Sequence, residues 1–126
     1  MTTKQHDLIT SYIDAVGEAR LEDLRPMLDS DAEFIVGDTR LCGAEAFIGG
    51  FRRLVPIIKR NEIRKIFVDG DEACVIYDFV TDTAVGPVVS VEYLTFKNGR
   101  IASSLLVFER LHWPKVMAEL AKREAT

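Results

Sequence analysis

From Leu8 onward the apolar positions recur every three or four residues, as Leu8, Ile9, Tyr12, Ile13 and Val16. That spacing is one stripe of an amphipathic helix, with Thr2 or Thr3 placed to cap its start and Gly17 to stop it. A second, short helix carries Leu21, Leu24, Met27 and Leu28 on one side. Pro26 lies inside it, and a residue that lacks an N–H and clashes with the preceding turn predicts a kink or an irregular end. Asp29-Ser30-Asp31 breaks the pattern, and Ala32 to Val36 reads as a short strand. A loop, Gly37-Asp38-Thr39-Arg40, then leads into a third helix from about Gly43 to Arg60, with Ala44, Phe47, Ile48, Phe51, Leu54, Val55 and Ile58 along one face. Gly49-Gly50 and Pro56 oppose that helix by roughly 1 to 3 kcal/mol each relative to alanine, so periodicity has to outweigh propensity here. The glycine pair either lets another backbone or a ligand approach closely or simply loosens the helix.

After Asn61 the period changes from 3.6 to 2. Glu62 to Val68, Ala73 to Thr83, Val88 to Lys97 and Ile101 to Arg110 are β-rich runs. Asp69-Gly70-Asp71, Ala84-Val85-Gly86-Pro87 and Asn98-Gly99 separate them with turn chemistry, which predicts an antiparallel meander. Trp113, Val116, Met117 and Leu120 return to helical spacing, and Pro114 suits a first helical turn. Helices followed by long antiparallel strands make an α+β fold, with helices segregated to one face of the sheet. A strongly curved, mostly antiparallel sheet covered in this way encloses a cone-shaped cavity. No repeat, linker or low-complexity segment divides the chain, so residues 1–126 read as a single domain.

The faces of the meander carry the candidate chemistry. If the turn between its second and third strands centres near Val85, residues whose numbers sum to about 170 oppose each other. Asp78 then faces Glu92 among Cys74, Ile76, Val80, Leu94 and Phe96. Two carboxylates on an apolar face are costly unless protonated, paired or hydrogen-bonded, which suggests a pocket with an acid–base pair retaining one proton. A structural alternative pairs one acid with Arg52 or Arg53. The odd-numbered face, with Val75, Tyr77, Phe79, Val89, Val91, Tyr93 and Thr95, is too apolar for open solvent. A second copy of the chain is the economical cover, so a homodimer is expected.

Composition narrows the classes. An apolar fraction of 48% with 29% charged residues describes a globular protein with one core, and a net charge of -4 without a basic stripe argues against nucleic acid or an anionic membrane as partner. Asp7, Asp14 and Glu18 interrupt the first apolar pattern, so no signal peptide or membrane span is read there and a cytoplasmic location is the expectation. Cys42 and Cys74 lack metal-ligand spacing, and two histidines, His6 and His112, support no metal site. Neither a nucleophilic triad nor a glycine-rich phosphate loop is present, and no cofactor is expected.

In order and spacing, the segments SYIDAVGEARLEDLRPMLDSDAEFIVGD, ACVIYDFVTDTAVG, VEYLTFKNGRI and LLVFERLHW resemble the nuclear transport factor 2-like superfamily, the fold of ketosteroid isomerase, limonene epoxide hydrolase and SnoaL-like polyketide cyclases. By that resemblance Tyr12 stands where steroid isomerases keep the tyrosine that donates to an oxyanion, and Glu92 where they keep a protonated acid. The general-base position holds Val36, with Asp38 two residues away. Against epoxide hydrolases, Asp78 matches one acid, but Ile76 holds the arginine position and Leu106 that of the second acid. The implied site is therefore Tyr12, Asp78 and Glu92. Its walls would be Phe47, Phe51, Ile76, Leu94, Phe96, Leu106 and Phe108, with Asp38 or Arg40 at the mouth. Its ligand would be a small hydrophobic molecule, either turned over by an isomerase, cyclase or hydrolase or held without turnover; the remaining alternative is a dimerising structural module of the same fold with an emptied pocket. Trp113 reads as the anchor of the last helix, and Glu109-Arg110 as a solvated pair.

Overall fold

The computed structural model describes residues 3–125. The first helix, α1 (Lys4–Gly17), is capped by Thr3, whose side chain accepts from the His6 backbone N–H; Thr2 lies outside the described residues. Gly17 ends α1 against the sheet. A Cβ there would lie 2.4 Å from the Asn61 backbone nitrogen, so only glycine permits this approach. The Pro26 segment forms a 3₁₀ turn, Leu21–Met27, in keeping with the missing donor.

Six strands build one sheet: β1 (Leu28–Val36), β2 (Thr39–Cys42), β3 (Ile58–Asp69), β4 (Glu72–Thr81), β5 (Pro87–Lys97) and β6 (Arg100–Phe108). Their order is β2-β1-β6-β5-β4-β3, antiparallel throughout except for the β1–β6 pair. The second helix, α2 (Ala44–Arg52), and α1 cover the concave face, and α3 (Trp113–Glu124) packs across the open end. This is the expected α+β architecture, a curved and mostly antiparallel sheet closed on one side by helices.

Besides β1, which begins at Leu28 rather than at Ala32 and so takes in Asp29-Ser30-Asp31, three elements differ from the sequence reading. The loop before the third expected helix contains β2, which pairs with β1 through a turn at Gly37, whose φ is +57°. The helix expected to reach Arg60 ends at Arg52, and Val55–Ile57 forms a single 3₁₀ turn before β3 begins at Ile58. Pro56 removes a donor there, and the apolar spacing of Leu54, Val55 and Ile58 serves a turn and a strand start instead.

The third difference changes the site. In the β4–β5 ladder Val75 faces Glu92, Tyr77 faces Ser90 and Asp78 faces Val89, a sum of 167 rather than 170. The Thr81 N–H and hydroxyl both reach the Gly86 carbonyl, at 2.9 and 2.7 Å, and Gly86 at φ +71° closes the turn earlier than composition implied. An odd sum exchanges the faces across the hairpin. Val75, Tyr77, Phe79, Ser90, Glu92 and Leu94 consequently look inward, whereas Cys74, Ile76, Asp78, Val89, Val91 and Tyr93 look outward.

Candidate functional site

A cavity of about 530 Å³ opens between the sheet, α2 and α3, within the range of small-molecule sites. Its walls are mainly apolar, including Phe34, Phe51, Leu54, Phe79, Leu106 and Phe108, with Trp113 at the open end. Trp113 also meets Phe108 edge-on at 4.9 Å, so it both anchors α3 and lines the site. Gly50 lines it too; a Cβ there would lie 2.6 Å from Leu41 Cδ1, a side-chain tip free to move aside, while its neighbour Gly49 faces open space.

Of the expected walls, Phe51, Leu106 and Phe108 line the cavity. Phe47 and Leu94 are fully buried in the core behind it, and Phe96 packs against that core past an irregularity in the β5–β6 ladder. Ile76 lies on the outer face of the sheet, a consequence of the 167 register. At the mouth, Asp38 lines the cavity, whereas Arg40 is paired with Glu33 at 2.7 Å on the outer side.

The expected acidic pair is not assembled. Asp78 points outward and receives both Nε and Nη2 of Arg64, at 3.0 and 2.9 Å. Arg64 sits at a register irregularity of β3, where the Ile63/Lys65 pairing shifts, and this places its guanidinium over β4. The partner is Arg64 rather than Arg52, which pairs with Glu22, or Arg53, which pairs with Glu124. The Arg64 side chain is 55% exposed but that of Asp78 only 15%, and the contact is bidentate, so Asp78→Asn is expected to cost about 1 to 3 kcal/mol in thermal melts.

Glu92 is instead sealed inside, 1% exposed. Three hydroxyls converge on it: Tyr12 Oη donates to Oε1 at 2.6 Å, Ser104 Oγ to Oε1 at 2.6 Å, and Tyr77 Oη to Oε2 at 2.5 Å. Each comes from a different element. Tyr12 projects from the buried stripe of α1, Tyr77 from the inward face of β4, and Ser104 from β6, where the β5–β6 register sets it beside Glu92's neighbour Leu94. Burial raises the Glu92 carboxyl above its ordinary value, while the three donors oppose that rise. Both tyrosines are held well above their ordinary values, first by burial and then by the Glu92 charge.

Of these four residues Tyr77 alone lines the cavity. Tyr12 is a core aromatic with a satisfied hydroxyl, edge-on to Phe47 at 6.1 Å. Tyr77 therefore connects the sealed acid to the space a ligand would occupy. Sequence reasoning missed Tyr77, Ser104, Ser90, Asn61 and Arg110. Two serines within otherwise apolar strands, Ser90 and Ser104, were a legible signal that a polar group lay nearby. Asn61 borders the cavity with its Nδ2 donating to the Ile13 carbonyl at 3.0 Å, and its Oδ1 is buried without a partner. Among the described residues no group of three or more acids, histidines or cysteines could hold a metal, and no helix is long and apolar enough to cross a membrane.

This cone of helices against a curved sheet is the nuclear transport factor 2-like fold. The SnoaL-like domain family matches residues 9–104, and the chain belongs to that family. Among solved structures, a de novo designed protein with a curved β-sheet is 21% identical, with a TM-score of 0.80 over 94% of this chain and 96% of its own. An NTF2-like protein of unknown function from Cytophaga hutchinsonii is 19% identical, with a TM-score of 0.72 over 87% of this chain and 93% of its own. A candidate polyketide cyclase from Sinorhizobium meliloti is 23% identical, with a TM-score of 0.72 over 84% of this chain and all of its own (100%). These are likenesses of fold. Against curated protein sequences the chain finds no significant match.

Proposed function

We propose that the protein binds a small, mainly apolar molecule in the cone and contacts it through the Tyr77 hydroxyl, oriented from behind by Glu92. The observation that carries this reading is the position of Tyr77, which lines the cavity while donating to a carboxylate sealed from it. A buried acid that accepts three hydroxyls holds them rigidly, and a polar group so held is what a pocket uses to orient a ligand. An acid–base mechanism using Asp78 and Glu92 together has no geometric support, since they lie on opposite faces of the sheet.

A catalytic role of the isomerase or cyclase type is the second reading, favoured by the Glu92–Tyr77 link. With Glu92 protonated on Oε2, the proton between the two groups is Glu92's own and the Tyr77 proton is free to turn to a ligand oxygen; once that oxygen takes it, Glu92 passes its proton to the tyrosinate and ends as the anion. This places Tyr77, rather than Tyr12, at the substrate, with Glu92 acting through it. Binding is tested by native mass spectrometry of the purified protein for a copurifying molecule, followed by titration with that molecule. Tyr77→Phe keeps the ring as a wall, so the expected loss is about 5- to 15-fold in affinity, the size of one hydrogen bond. Affinity unchanged by Tyr77→Phe would remove the hydroxyl from the site. Turnover of enolisable ketones, abolished by the same variant, separates the catalytic reading from simple binding.

We also propose a homodimer through the outer face of the sheet. The residues are those the 167 register assigns: Ile76, Val91 and Val107 lie side by side across three strands, as do Tyr93, Leu105 and Ile35. Val75, Tyr77 and Phe79, expected in that interface, belong to the interior.

A further inference from the structure

We propose that the ligand of this cavity is an amphipathic carboxylate, its apolar body inside the cone and its anionic group held at the mouth by Arg110. The inference rests on the binding reading above and adds the chemical class of the ligand. The mouth lies where the β1–β2 turn meets the connection from β6 to α3, and Gly37, Asp38, Thr39 and Arg110 all border it. Arg110 is stacked over the Phe108 ring at 5.1 Å from the centroid, and its Nη2 lies 2.9 Å from where a Cβ on Gly37 would stand. The guanidinium is thus confined between an aromatic face and a bare stretch of backbone. A stacked guanidinium keeps its N–H edge available for a planar oxygen pair.

Its charge is also unspent. Arg40, on the same β1–β2 hairpin, is paired with Glu33, and Arg64 is paired with Asp78. Arg110 has no carboxylate within ion-pair distance among the described residues, although Asp38 borders the same mouth. The other polar groups of the lining are mostly committed elsewhere. Tyr77 shares its proton with Glu92 while that carboxyl is ionised, Ser90 Oγ donates to the Val88 carbonyl at 3.2 Å, and Asn61 Nδ2 donates to the Ile13 carbonyl at 3.0 Å. Arg110 is therefore the one cationic side chain on a mainly apolar lining, among the described residues. An amphipathic acid fits with its carboxylate on Arg110 and its apolar body against Phe34, Phe51, Leu54, Phe79 and Leu106.

The test uses a rigid hydroxynaphthoic acid with its carboxyl and hydroxyl at opposite ends, together with its carboxamide, titrated calorimetrically into the intact protein. The acid is expected to bind about ten-fold or more tightly than the amide, as charge-assisted bonds to a guanidinium require. Arg110→Gln should bring the two within about two-fold, and Arg110→Lys should restore part of the difference. Arg110 is exposed, so thermal melts of both variants should match the parent. Equal binding of acid and amide to the parent would overturn the carboxylate inference and leave the pocket reading standing, as would a preference that survives Arg110→Gln. Binding of neither probe would remove the pocket reading for this ligand shape and the inference with it.

Discussion

Glu92→Leu is expected to lower the melting temperature by about 10 to 20 °C, corresponding to about 3 to 5 kcal/mol. Leucine fills nearly the same volume, so the loss comes from polarity rather than from a cavity. Tyr12, Tyr77 and Ser104 would each be left with a hydroxyl buried among apolar side chains, and every such group costs about 1 to 3 kcal/mol unless the structure relaxes. Glu92→Gln should cost much less, because the amide oxygen can still accept from Tyr12 and Ser104. At the other position its NH₂ group meets Tyr77, which can turn its proton toward Ser90. The pH dependence separates charge from shape. The folded-state pKa of Glu92 is raised, so the folded protein holds this proton more tightly than the unfolded chain does. The stability that this supplies is complete below the unfolded carboxyl value of about 4.3 and is lost as the pH rises through the higher folded value. The gap in melting temperature between the parent and Glu92→Gln should therefore be widest in acid and narrow toward neutrality. A gap that widens with pH would mean that Glu92 is stabilised as the anion. Equal melts for Glu92→Leu and the parent would mean that the three hydroxyls find partners elsewhere.

Val107→Glu should convert a dimer into a monomer without unfolding it. Val107 is 60% exposed in the single chain, and Val91, Ile76 and Leu105 surround it on the outer face. At so exposed a position a glutamate changes the stability of the monomer by roughly 0.5 kcal/mol or less. In an apolar interface the same charge is desolvated without a partner at a cost of several kcal/mol, which weakens association by about a thousand-fold or more. Light scattering at micromolar concentration should give about twice the 14.2 kDa chain mass for the parent and a single chain mass for the variant. A parent that stays monomeric at high micromolar concentration would leave the apolar outer face without this explanation.

Much of the architecture was legible in periodicity. The α1 stripe of Ile9, Tyr12, Ile13 and Val16 is buried as its spacing requires, and the four long strands fall within a few residues of their expected bounds. These features are local, since one helix face or one strand face is determined by residues a few positions apart. Glu92 could be singled out in the same way, as a carboxylate in a run of inward-facing apolar residues. The segment from Leu54 to Asn61 misled because a helical stripe and a turn entering a strand can share the same apolar spacing, and Pro56 decided between them only in the context of the sheet.

The company that Glu92 keeps belongs to a different scale. Alternation within β4 put Tyr77 and Asp78 on opposite faces with certainty, but which of them joins Glu92 depends on how many residues the Thr81–Gly86 turn consumes. One residue more or fewer there exchanges a tyrosine for an aspartate beside the buried acid. Tyr12 and Ser104 reach the same carboxylate from 80 residues before it in the chain and 12 after it, and no local pattern records such convergence. Arg110 likewise reads as a solvated charge until the Gly37 turn folds against it at the mouth of the cone. Periodicity is a property of neighbours along the chain. Register, and the site built on it, is settled by hydrogen bonds between strands and by the packing of elements that are distant in sequence.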